Sequence, residues 1–124
     1  MTARRVLLVD DDKLIHTVMR AALAKHGYQV HSAYDSVQAP MAARQLKPDL
    51  IILDINMPGG GGFEAFKRLQ MLTTTSQIPI LVFSSLAPED VAQRIPASPG
   101  VGHLPKPASP EALTEAVQKL LGDA

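Results

Sequence analysis

The chain has 124 residues, with 12 Lys and Arg against 12 Asp and Glu and no cysteine. That length suits one domain, able to bury about two-thirds of its unfolded surface without a staple, and the missing cysteines exclude disulfides, thiolate zinc sites and Cys nucleophiles. A formal net charge of zero argues against nucleic-acid binding, no apolar run nears the roughly 18 residues of a membrane span, and the start MTARRVLLVDDD lacks the apolar stretch of about 7–15 residues that a signal peptide needs.

Short apolar runs alternate with longer stretches of helical spacing. Val6–Val9, Leu50–Leu53 and Ile80–Phe83 are unbroken runs, with weaker ones at Tyr28–Val30 and Val101–Leu104. Runs without polar alternation suit strands buried on both faces, as in a parallel sheet. After the first run, Leu14, Ile15, Val18, Met19 and Ala22 predict a helix buried on one side, with Gly27 as its C-terminal cap. Ala39, Ala42, Ala43 and Leu46 predict a second, N-capped by Asp35 or Ser36, with Pro40 confined to its first turn. Phe63, Phe66 and Leu69 predict a third helix and put both phenylalanines in the core. A short fourth runs from Pro88 to about Ile95, opened by its proline, and Pro96-Ala97-Ser98-Pro99-Gly100 reads as a loop. Leu113, Ala116, Val117, Leu120 and Leu121 predict a fifth, entered through Ser109-Pro110-Glu111. This β-α order dictates right-handed crossovers and a parallel sheet covered by helices.

The polar residues that matter stand at the carboxyl ends of the apolar runs. The first run leads into Asp10-Asp11-Asp12, the third into Asp54, the fourth into Ser84-Ser85 and the fifth into Lys106-Pro107. In an open parallel sheet these ends share one edge, where ligands bind at the point of strand-order reversal. With strands about 4.8 Å apart, neighbouring first and third strands would bring Asp10, Asp11 and Asp54 within reach of one ion. Like charges at 4 Å repel by roughly 4 kcal/mol at an effective dielectric of 20, so the cluster calls for positive charge. Lys106 supplies one unit, and a divalent cation that keeps its waters, Mg²⁺ or Mn²⁺, would supply the rest. Metal, carboxylate, hydroxyl and ammonium are the parts for phosphoryl transfer. A carboxylate, ionised near pH 3.9, is a nucleophile that needs no base. Asp54 is therefore the expected acceptor, Asp10 and Asp11 the metal pair, Lys106 the phosphoryl counter-charge and Ser84 the hydroxyl donor. Asp12 is expected to be a helix cap or a solvated acid rather than a ligand.

Taken together, VLLVDDD, PDLIILDINMPGGGGFE, PILVFSS and LPKP resemble, in order and spacing, the receiver domain of bacterial two-component response regulators. The resemblance covers essentially residues 1–124 and implies a flavodoxin-like, doubly wound (βα)5 sandwich with a five-stranded parallel sheet in order 2-1-3-4-5. It further implies metal coordination by the main-chain carbonyl of Asn56, a cis peptide at Lys106-Pro107, and phosphoryl transfer from a histidine kinase or histidine phosphotransfer protein. The implied output is a protein-binding surface for a separate downstream target, in the cytoplasm, with no nucleic acid or membrane involved and oligomeric state open. Such a domain is not an enzyme beyond its own phosphorylation and dephosphorylation.

The departures are local. Gly61 replaces a common acid and leaves Gly59–Gly62 as a run expected to be mobile. His103 stands where many receivers carry a switching aromatic, and Pro96 and Pro99 are expected to shorten the fourth helix. His16, His26 and His31 lack metal-ligand spacing and are expected in solvated or capping roles. Two other functions compete: a phosphorylation-independent pseudo-receiver, and a haloacid-dehalogenase-type phosphatase, whose Asp-x-Asp element is met by Asp10-Asp11-Asp12 but whose late acid pair and cap domain are missing.

Overall fold

A computed structural model describes residues 3–57 and 61–123. In chain order these form β1 (Arg5–Val9), α1 (Lys13–Ala24), β2 (Gln29–Ala33), α2 (Gln38–Leu46), β3 (Leu50–Leu53), α3 (Gly61–Met71), β4 (Ile80–Ser84), α4 (Pro88–Arg94), β5 (Val101–Pro105) and α5 (Pro110–Leu121). The strands make one sheet in the order β2-β1-β3-β4-β5, with every neighbouring pair parallel. This is the flavodoxin-like arrangement. No helix among the described residues is long and apolar enough to cross a membrane.

The strength of each apolar run reports its place in the sheet. The three unbroken runs are the central strands β1, β3 and β4, and the two weaker ones are the edges β2 and β5. Because successive strand residues face opposite sides, the sheet feeds two cores. Leu7, Val9, Ile51, Leu53, Ile80 and Val82 meet the side chains of α2, α3 and α4. Val6, Leu8, Leu50, Ile52, Leu81 and Phe83 meet those of α1 and α5.

Helix ends follow local chemistry. Asp12 caps α1 by accepting the Leu14 N–H. Past α1, Gly27 adopts φ +85, while the Tyr28 N–H reaches Leu23 O and the Gly27 N–H reaches Ala24 O. That pair of bonds is the Schellman closure, which needs a left-handed residue at this position. Ser109 caps α5 by accepting the Ala112 N–H, three residues on.

Four expectations need correction. In α1, Leu14 and Val18 are exposed and the buried residues are His16, Met19 and Leu23. The inward line runs 16, 19, 23, because the helix sits with that line against β2 and α5, one residue out of phase with the apolar count. In α2, Val37 holds the N-cap position without a side-chain bond, and Asp35 Oδ1 instead accepts the Gln38 N–H from two residues further back. Phe63 and Phe66 are half-buried at the margin of the core, and the Arg94 guanidinium lies 3.9 Å from the Phe63 ring centre. Gly59 and Gly60 fall outside the described residues, but Gly61 and Gly62 are buried in the first turn of α3, where packing leaves no room for a Cβ.

Candidate functional site

The carboxyl edge of the sheet is built by register. Val9 pairs with Leu53, so Asp10 and Asp54 follow side by side on adjacent strands, and the Asp54 N–H donates to Val9 O at 2.9 Å. Both acids are buried, at 0% and 4% exposure. On the far side, the Lys106 N–H donates to Ser84 O at 2.9 Å, which anchors the end of β5 beside β4.

A single local device orients three of these side chains. Asp10 Oδ1 accepts the Asp12 N–H at 2.9 Å, Asp54 Oδ1 accepts the Asn56 N–H at 3.0 Å, and Ser84 Oγ accepts the Leu86 N–H at 3.1 Å. Each is a bond from a short polar side chain to the amide two residues on, the Asx- and Ser-turn geometry that forms where a strand gives way to a loop. The bond uses one carboxylate oxygen and leaves the other to face the site. Lys106 Nζ sits 2.8 Å from Asp10 Oδ2 and 3.4 Å from Asp54 Oδ2, and 5.0 Å from the centre of the Phe83 ring.

Electrostatics leave the cluster short of positive charge. Burial raises the Asp54 carboxyl above its ordinary value; Lys106 and the Asn56 amide pull it down and Asp10 pushes it up, with burial dominant. What Lys106 and the Asn56 amide return to the Asp54 carboxylate does not offset its loss of solvent. Carboxylate oxygens of Asp10, Asp11 and Asp54 lie within 4.8 Å of one another, with Asp11 exposed. An all-oxygen donor set with one side open to water is what Mg²⁺ accepts, since it keeps several waters at about 2.0–2.1 Å. The residues present thus fit a hard divalent cation.

Of the sequence-derived residues, Asp10, Asp11, Asp54 and Lys106 converge, with Ser84 on the adjoining strand end and the Asn56 amide tied to Asp54. The Lys106-Pro107 peptide is cis. His103 lies on β5 opposite Val82. Its Nε2 is buried without a hydrogen-bond partner among the described residues, and burial lowers its pKa.

His16 was missed. It is buried beneath the site, with Nε2 2.7 Å from the Asp10 carbonyl oxygen and Nδ1 2.8 Å from Ser32 Oγ. Its signal in the sequence was helical phase: it stands three residues before Met19 and seven before Leu23, on the line that faces inward. His26 and His31 are exposed, as expected.

A doubly wound sheet with an acid trio, a lysine and a hydroxyl at one rim defines a class, and residues 6–118 match the response regulator receiver domain, the family to which the chain belongs. Among relatives it is 33% identical over 117 residues to protein PilH of Pseudomonas aeruginosa, spanning 94% of this chain and 97% of PilH. It spans about half the length of several other curated relatives it matches. Its fold is similar to chemotaxis protein CheY4 of Vibrio cholerae, with TM-score 0.87 and 33% identity over 96% of this chain and 99% of that one. It is also similar to the receiver domain of the sensor histidine kinase PA1611 from Pseudomonas aeruginosa, with TM-score 0.85 and 25% identity over 98% and 100% of the two chains. That structure holds a magnesium ion coordinated in its active-site cleft.

Proposed function

We propose that this protein is a phosphorylation-switched signalling module of a two-component phosphorelay, acting in the cytoplasm as one receiver domain over residues 1–124. The observation that carries the reading is the Lys106 ammonium held between the buried Asp10 and Asp54 carboxylates, with an Asp11 oxygen close by. The donor is a phosphohistidine on a histidine kinase or histidine phosphotransfer protein. The Asp54 carboxylate attacks phosphorus as the P–N bond breaks, and the ring, protonated on its other nitrogen, departs as neutral imidazole with the P–N electron pair on the released nitrogen.

A Mg²⁺ or Mn²⁺ ion held by Asp10, Asp11, Asp54 and the Asn56 carbonyl would offset the charge of the phosphoryl oxygens. Lys106 supports the same oxygens as a fixed counter-charge. Ser84 accepts the Leu86 N–H, yet its own O–H stays available to donate to a phosphoryl oxygen. Phosphorylation replaces one negative charge by roughly −1.5 to −2, which draws Ser84 and Lys106 inward and biases the β4–β5 region. His103 lies between a cavity of about 470 Å³ against α5 and one of about 150 Å³ against α4. Those spaces give its ring somewhere to move and support a switching role toward a separate protein target. Family membership favours this reading over the phosphatase, because receiver domains in response regulators are generally not enzymes.

Incubation with acetyl phosphate and Mg²⁺ should add one phosphoryl group by intact-mass spectrometry. Chelation and Asp54→Ala should both abolish the gain, and equal labelling of the alanine variant defeats the assignment of Asp54. Partner affinity that is the same with and without beryllofluoride and Mg²⁺ would instead favour a pseudo-receiver.

A further inference from the structure

We infer that His16 is a positioning residue for the acidic site, holding the Asp10 main chain through a directed hydrogen-bond chain that begins at Arg20. The inference rests on the metal-binding reading of Asp10 and Asp11 given above. Asp10 is fully buried, and each of its polar atoms has a partner: its N–H donates to Ala33 O, Oδ1 takes the Asp12 N–H, Oδ2 takes Lys106 Nζ, and its carbonyl oxygen takes His16 Nε2. The last bond is the only one of the four not made by a backbone amide or by the site lysine. At the end of β1 the ladder no longer serves this carbonyl, and a buried carbonyl left without a partner is destabilising.

A carbonyl only accepts, so Nε2 carries the hydrogen, and in the tautomer with that single ring hydrogen Nδ1 is bare. Nδ1 therefore accepts from the Ser32 hydroxyl, and Ser32 Oγ in turn accepts from the Arg20 guanidinium. Every donor in the chain points toward Asp10, so its aligned dipoles present their positive ends to the acidic edge. Such chains strengthen their members. The Tyr34 ring, 4.5 Å away and tilted 44°, braces the imidazole against rotation. Because the peptide group is planar, holding the Asp10 carbonyl also sets the direction in which the chain leaves toward Asp11. The Asp12 N–H bond to Asp10 Oδ1 fixes the chain on the far side of Asp11 and the His16 bond fixes it on the near side, so His16 helps pre-arrange both acids.

Free-Mn²⁺ electron paramagnetic resonance on wild type, His16→Gln, His16→Asn and His16→Leu tests this, with urea midpoints in EDTA as the fold control. Glutamine extends an amide N–H to the depth of Nε2; asparagine stops at the depth of Nδ1. His16→Gln should keep Mn²⁺ affinity within about twofold, while His16→Asn and His16→Leu should lose roughly tenfold, the lower end for loss of an outer-sphere partner. Ser32→Ala, which touches only the surface end of the chain, should show a smaller loss in the same direction and decides the matter if position 16 tolerates no change. Wild type that binds Mn²⁺ while His16→Asn or, failing that, Ser32→Ala binds equally well overturns the inference alone. Wild type that binds no Mn²⁺ overturns the metal reading, and this inference with it.

Discussion

Ser36 occupies the space that any side chain at residue 61 would need: a Cβ built on Gly61 overlaps both Oγ and Cβ of Ser36. The turn between β2 and α2 is thereby seated on the first turn of α3, directly after the acceptor loop. Gly61→Ala should destabilise the protein by about 1–3 kcal/mol, the usual cost of overpacking, although alanine is the better helix former by roughly 1 kcal/mol. Ser36→Gly should recover most of that loss in a double-mutant cycle read by urea unfolding. Gly62→Ala should gain nothing from Ser36→Gly, because its Cβ meets the Ile55 backbone.

Asp54 sets a pH dependence in the metal-free protein. Its carboxyl is raised above 3.8, first by burial, so the folded state holds its proton to higher pH than the unfolded chain does. Stability from this group is complete below pH 3.8 and is lost as pH rises through the raised folded value. In EDTA, Asp54→Asn should therefore be more stable than wild type at neutral pH, with the gap narrowing as pH falls toward 4. Denaturation across that range checks the sign, and a gap that widens on acidification contradicts it.

His103 acts in the opposite direction. Burial lowers its pKa below 6.5, so the folded state gives up its proton more readily. Its contribution is intact above pH 6.5 and is lost as pH falls through the lowered value. His103→Phe should remove this slope and, by deleting a buried nitrogen without a partner, raise stability at pH 8 by about 1 kcal/mol. Thermal melts of both proteins at pH 8 and pH 5.5 make the comparison.

Tyr28 ties the end of the chain to its start. Its hydroxyl donates to Asp123 Oδ2 at 2.8 Å, and Arg4 bridges Asp123 Oδ1 at 2.8 Å. Burial first, then the Asp123 carboxylate, push the phenol up from 10 to about 12. The bond's stabilisation is thus whole below pH 10 and disappears through pH 12. Tyr28→Phe should cost about 1 kcal/mol at neutral pH, and the tyrosinate absorbance it removes should titrate near pH 12.

Much of the architecture was legible because local chemistry carries it. Central strands advertise themselves as unbroken apolar runs that Asp10, Asp54 and Ser84 follow closely, and Lys106 follows the weaker run of the edge strand β5, so all four can be placed on one edge. Helix ends were less so. Asp35 and Ser36 are equally good caps by residue type, yet Val37 holds the N-cap position, Asp35 reaches the Gln38 N–H from further back, and Ser36 packs against Gly61 of α3. The inward face of α1 was misread for a related reason: exposed Leu14 and Val18 are as apolar as the buried residues, while the buried His16 is polar and offsets its burial with two hydrogen bonds.

The order of chemistries along the chain, a strand ending in acids, a strand ending in one acid, a strand ending in hydroxyls and a strand ending in lysine, is a property of the covalent string, and it suffices to name the family. Which oxygen of Asp10 faces the lysine, and which nitrogen of His16 carries its hydrogen, are not written there. Those depend on strand register and on how helices settle against the sheet, where contacts between residues far apart in the chain select one arrangement from several that are locally equivalent.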